Sequence, residues 1–134
     1  MPSVLSYRDL CYIPEGAIYI GRRNSYYGLS QSIWANPFKV GQNYQGRILT
    51  HEDCIEAHRD WFLYSDEGIN LQGFLQQILG LDLICWCHDW DLRDMPPTWG
   101  CHGDLLLIMS NRRYERQHTP DGIVYKGLED IDVL

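Results

Sequence analysis

Leu81-Asp82-Leu83-Ile84-Cys85-Trp86-Cys87 is the most strongly strand-like segment of the chain. It is a short apolar run placed directly after Gly80, a residue that ends helices readily, and it reads as a strand from Leu81 to Cys87. A run this apolar belongs in the interior of a sheet covered by helices rather than at an edge. Upstream, Leu71, Phe74, Leu75, Ile78 and Leu79 share one face of a helix beginning near Asn70 and stopping at Gly80. Downstream, a helix is expected from Gly103 or Asp104 to near Arg116. Leu105, Leu106, Ile108 and Met109 are its core positions, and Arg112, Arg113 and Arg116 complement its negative end.

Further out, Ala17-Ile18-Tyr19-Ile20 is a β-favouring run ending at Gly21. Thr50-His51-Glu52-Asp53 opens a helix as a capping box with Asp in the place of the usual Glu or Gln. Cys54, Ile55, His58, Trp61 and Phe62 follow on its inward stripe, where His58 is expected as a satisfied core histidine. A closing strand is expected around Ile123-Val124-Tyr125. Strands alternating with helices predict an α/β fold, a small mostly parallel sheet with flanking helices in a Rossmann-like single domain. In such sheets ligands gather beyond the carboxyl ends of the strands, which puts Gly21-Arg22 and Cys87 on one rim.

The chain of 134 residues is long enough for one core and too short for two, and 45% of it is apolar against 22% charged. We expect one domain over residues 1–134, its core from about 15 to 126, with the acidic tail from Glu129 peripheral. No apolar run approaches the roughly 20 residues that span a bilayer, and the first residues lack the pattern of a secretory signal. No membrane partner and a cytoplasmic location are therefore expected. Five cysteines, set in apolar segments or beside a histidine, suit reduced thiols or metal ligands better than a disulfide framework. A net charge of -7 excludes an extended nucleic-acid surface, which needs clustered Lys and Arg. It leaves room for one small anion, since Arg22, Arg23, Lys39 and Arg47 lie in a stretch nearly free of acids.

Two long segments leave the expected strand ends, Asn24 to Gly46 and His88 to Gly100. Both carry aromatic residues, and connections this long suggest lids. In the first, Pro37 biases Asn36 toward an extended backbone, and Trp34 and Phe38 can anchor the loop. Tyr26, Tyr27, Trp34, Trp90 and Trp99 could stack on a flat base or bury one another.

On a strand, Cys85 and Cys87 point to one face and Trp86 to the other. With Cys101 and His102 they make four thiol and imidazole groups, the number and kind that hold structural zinc, although the spacing is not the two-knuckle arrangement. The same segment admits a second reading. Backbone N–H groups at the start of the last helix can hold a phosphate with Gly103 allowing close approach, and Asp104 can serve a ribose or an N-glycosidic bond. A nucleophilic Cys101 or Cys87 is a third reading, for which the sequence shows no base.

Tyr19-Ile20-Gly21-Arg22, Trp34-Ala35-Asn36-Pro37-Phe38, Cys85-Trp86-Cys87 and Cys101-His102-Gly103-Asp104, in that order, resemble the DUF4326 family of short bacterial and phage proteins over roughly residues 17 to 111. The resemblance implies a bacterial cell or phage-infected host, and supports these four motifs as one cluster without implying an activity. The chain departs from the family pattern in the longer link from His88 to Gly100, with Trp90, Pro96, Pro97 and Trp99.

The expected function is binding or processing of a nucleotide- or nucleoside-like small molecule, including hydrolysis or transfer at an N-glycosidic bond. His102 and Asp104 would be catalytic, and Gly21, Arg22, Trp34, Asn36, Pro37, Phe38, Cys87, Cys101 and Gly103 ligand-binding. The alternative is a non-catalytic, zinc-stabilised interaction module whose metal ligands are Cys85, Cys87, Cys101 and His102.

Overall fold

The computed structural model describes residues 2–91, 99–111, 114–120 and 122–127. Its central sheet has four strands in the order β2-β5-β1-β6, formed by β1 (Ser3–Ser6), β2 (Ile18–Tyr19), β5 (Leu83–Cys85) and β6 (Trp90–Asp91). The strand-like segment stands inside the sheet as β5, with Leu83, Ile84 and Cys85 all buried. It pairs in parallel with β1 on one side, Ser6 opposite Cys85, and with β2 on the other, Tyr19 opposite Ile84. β6 closes the far edge antiparallel to β1. The fold is α/β with a small mixed sheet, two of whose three pairings are parallel.

The sheet opens at Ser3 rather than near residue 15, with Val4 fully buried. Four residues with only two adjacent apolar side chains carry too little periodicity to read as an inner strand. Trp90, expected in a covering loop, is a buried residue of β6. Residues 92–98, most of the expected second lid, lie outside the described residues.

Helix α1 (Tyr7–Leu10) is one turn after β1, and α2 (His51–Tyr64) begins with the capping box read from the sequence. The Thr50 hydroxyl accepts from the Asp53 N–H (3.1 Å), and the Asp53 carboxylate accepts from the Thr50 N–H (2.9 Å). The next helix, α3 (Asp66–Gln72), starts four residues before the expected Asn70, because Ser65 caps it by accepting from the Gly68 N–H (3.0 Å). Leu75–Ile78 is a separate 3-10 turn, which leaves Phe74 and Leu79 exposed.

The last helix, α4 (His102–Asn111), ends before the arginines expected in its final turn. Arg116 lies instead in β7 (Tyr114–Thr119), which pairs antiparallel with β8 (Gly122–Gly127) over the expected closing strand. Arg112, Arg113 and the tail from Glu129 lie outside the described residues. A further hairpin, β3 (Asn43–Tyr44) and β4 (Arg47–Ile48), turns through Gln45 and Gly46, both at positive φ as a tight hairpin turn requires.

α4 carries Leu105, Leu106, Leu107 and Ile108 into a core shared with Val4, Ile20, Phe62 and Leu83. Gly103 sits where this helix meets the sheet, and a Cβ there would stand 2.7 Å from the Ile20 Cδ1 and 3.3 Å from Val4. Among the described residues no helix is long and apolar enough to cross a membrane.

Candidate functional site at the carboxyl rim

Because β1, β2 and β5 are parallel, their carboxyl ends share a rim, and the chain leaving β2 and β5 there encloses a cavity of about 300 Å³. This lies at the lower end of the range for small-molecule sites. Gly21, Arg22, Asn36, Phe38, Cys87 and His102 line it, together with Cys85. The structure thus brings residues of the four motifs to one place.

The turn after β2 is held by a relay. The Trp86 indole N–H donates to the Tyr19 hydroxyl (2.8 Å), which donates to the Arg22 carbonyl (2.6 Å). The Tyr19 ring folds over Gly21 so closely that a Cβ there would stand 2.4 Å from its hydroxyl, so a side chain at this position would displace the ring. Burial raises the Tyr19 phenol above its ordinary value, which keeps it a donor at neutral pH. The Arg22 guanidinium donates to the Phe38 carbonyl and so joins this turn to the loop.

Asn36 holds the loop itself. Its amide oxygen accepts from the Phe38 N–H (2.9 Å) and its amide nitrogen donates to the Cys54 carbonyl on α2 (3.1 Å). One lone pair and one N–H remain for a ligand. Phe38 packs on Leu49 and Cys54, Trp34 is buried in the main core, and Pro37 is exposed, so the last two shape the loop without lining the cavity.

The sequence reading put Trp86 on the face opposite the cysteines. The strand ends at Cys85, the alternation lapses with it, and Trp86 and Cys87 line the same cavity. Trp86 also packs against Tyr7 (ring centroids 4.9 Å apart) and Tyr27 (5.4 Å), an aromatic group at the rim. Tyr26 is exposed and packs on Tyr27, whereas Trp99 lies half-buried against the core, with the Arg59 guanidinium 4.8 Å from its ring centre.

The start of α4 forms the inner wall. Cys101, His102, Gly103 and Asp104 are all buried, and only His102 lines the cavity. His102 Nε2 lies 3.0 Å from both the Ile20 and the Trp34 carbonyls, which can only accept, so Nε2 carries the proton and Nδ1 is left facing the Cys101 sulfur at 3.6 Å. Burial lowers His102 below the ordinary imidazole value and keeps it neutral. It ties β2, the Trp34 loop and α4 together. Asp104 pairs with His88 (Nε2 to Oδ1, 2.7 Å) and its other oxygen has no partner among the described residues. Burial raises its carboxyl above the ordinary value despite the bond from His88. The expected catalytic pair is therefore divided, one member holding backbone at the wall and the other sealed behind it. Gly103 serves the packing of helix on sheet, and its N–H donates to the Cys101 sulfur (3.3 Å), so neither lies open to a phosphate.

Three of the four expected metal ligands come together. The Cys85, Cys87 and Cys101 sulfurs lie within 4.8 Å of one another, Cys85 and Cys101 buried and Cys87 exposed, and all are free thiols. Hydrogen bonds from Cys101 and then Cys85 pull Cys87 well below the ordinary thiol range.

The sequence reading did not name Tyr19, Trp86 or His51 as site residues, although all line the cavity, nor His88 as the partner of Asp104, and it named Arg23 only within the basic stretch able to hold an anion. Tyr19, Arg23 and Trp86 adjoin or fall inside quoted motifs. His51 gives no local signal, since the contact of its Nε2 with the Gly100 carbonyl (2.8 Å) spans 49 positions.

A family model described as a domain of unknown function, DUF4326, matches residues 5–112. No curated protein and no solved structure matches the chain.

Proposed function

The chain belongs to the DUF4326 family, whose description names no activity, and from the site itself we propose that it binds a small anionic, nucleotide-like molecule in the rim cavity. One observation carries this reading. The chain has a net charge of -7, yet the cavity is lined by Arg22 and Arg23 with no Asp or Glu lining it among the described residues. A carboxylate-free concavity holding two guanidinium groups attracts phosphate or carboxylate whatever the global charge. Phe38, Trp86 and Ile55 supply apolar lining of the kind that accepts a flat ring, and the remaining amide valences of Asn36 can orient it.

The reading is one of binding rather than of glycosidic-bond chemistry. Asp104, the carboxylate expected to act there, is fully buried and absent from the lining. Calorimetric titration with a nucleoside, its 5′-monophosphate and inorganic phosphate tests the proposal. The monophosphate should bind more tightly than the nucleoside. Arg22→Ala and Arg23→Ala should each weaken it about tenfold or more, the loss expected for one charge-assisted hydrogen bond. Arg23 is exposed, so its variant also separates ligand contact from the support that Arg22 gives the Phe38 loop. Equal affinity for nucleoside and monophosphate, or indifference to both substitutions, would sink the proposal.

A further inference from the structure

We propose that Cys85, Cys87 and Cys101 form a three-thiolate site for zinc whose fourth coordination position opens into the rim cavity. The inference stands on the thiol cluster alone and does not depend on the nucleotide reading.

The three sulfurs lie within 4.8 Å of one another. Tetrahedral zinc with bonds of about 2.3 Å holds its sulfurs about 3.8 Å apart, so closing the site asks for a shift of about 1 Å at most. Cys87 is placed to make it, because it is exposed and lies beyond the last residue of β5. Cys85 is fixed by the strand, and Cys101 by the start of α4. Two backbone donors already point at sulfur, the Cys87 N–H at Cys85 (3.4 Å) and the Gly103 N–H at Cys101 (3.3 Å). Such outer bonds stabilise a sulfur that carries negative charge in a metal–thiolate bond. Thiolate softness selects zinc over magnesium or calcium. Coordination replaces each S–H bond still present with an S–Zn bond and releases its proton to solvent.

This site differs from the four-ligand set expected from the sequence. His102 falls outside the cluster: its Nδ1 faces the Cys101 sulfur at 3.6 Å, but it is not among the groups whose ligand atoms all lie within 4.8 Å of one another. Cys85 and Cys87 both line the cavity, so the open position faces it. Three protein ligands and one open position are the pattern of a zinc that binds water or a ligand rather than one that only braces a fold.

The test uses the full chain, kept reduced, stripped with a chelator and titrated with cobalt(II) and then zinc(II). About one cobalt per chain should bind with a sulfur-to-metal charge-transfer band that zinc abolishes. An added small thiol or imidazole should shift the ligand-field bands by entering the open position. Cys87→Ser should weaken zinc, measured against a chromogenic chelator, by about a hundred-fold or more, since even losses in the outer shell cost 10–100-fold. Cys11→Ser, which alters an exposed cysteine outside the cluster, should change neither result. Absence of a sulfur–cobalt band, or zinc affinity indifferent to Cys87→Ser, would overturn the site. Ligand-field bands unmoved by the added thiol and imidazole would overturn its open position.

Discussion

His58 is a fully buried ionisable side chain on α2. The sequence reading expected a satisfied core histidine, and the structure buries it with Nδ1 unpartnered among the described residues. Its ring stacks on Phe62 (centroids 5.7 Å apart) and meets the His102 ring edge-on (5.0 Å). Burial, and then His102, hold it well below the ordinary imidazole value, so the native state keeps it neutral. An unfolded chain protonates this residue near pH 6.5. Below that pH the unfolded state binds more protons, and stability falls as pH falls until the native value is reached. We expect about 1.4 kcal/mol of the loss between about pH 7.5 and about pH 5.5 to come from His58. Urea unfolding across that range should show it, and His58→Phe should flatten the slope, leaving the share due to His102. A variant slope equal to that of the native chain would mean that His58 is not held neutral. Position on the stripe of α2 made the burial of His58 legible, but its missing partner depends on the packing of Phe62 and His102 around it, which no local pattern encodes.

At the scale of elements, the joint between α4 and the sheet governs the site, because it places both His102 and Cys101. Helix propensity alone predicts that Gly103→Ala stabilises the chain, by about 1 kcal/mol. The packing predicts the opposite, since the new Cβ would meet the Ile20 Cδ1 at 2.7 Å, and overpacking of this kind costs about 1–3 kcal/mol. Chemical denaturation decides between them, and a gain in stability would show that the joint is looser than described. Where a side chain caps its own backbone, as at Thr50 and Asp53, the element was legible from sequence. The start of α3 was misplaced because an apolar stripe from Leu71 to Leu79 outweighed the Ser65 cap. The end of α4 was misplaced because Arg116, which suits a helix dipole, stands in a strand whose partner is the segment that follows it. β1 was missed for a related reason, since its evidence lies in its two neighbours and not in its own four residues.

For the whole molecule, alternation of strands and helices was enough to give the α/β class, and the rule that ligands gather at the carboxyl rim was enough to bring Gly21, Arg22 and Cys87 together. The partition of roles was not legible, because it depends on which side chains bond to backbone. Asn36 and His102 hold the loop and the wall, Asp104 lies behind them, and Arg22, Arg23, Cys85 and Cys87 line the opening. On this reading one rim cavity is the ligand site. The most direct test is an amide chemical-shift titration of the isotope-labelled chain with a nucleoside monophosphate. Saturable shifts are expected, concentrated in the segments 19–24, 36–40, 51–55 and 85–87 and at residue 102, which contain the lining residues. Saturable shifts centred elsewhere, or none at millimolar ligand, would contradict it.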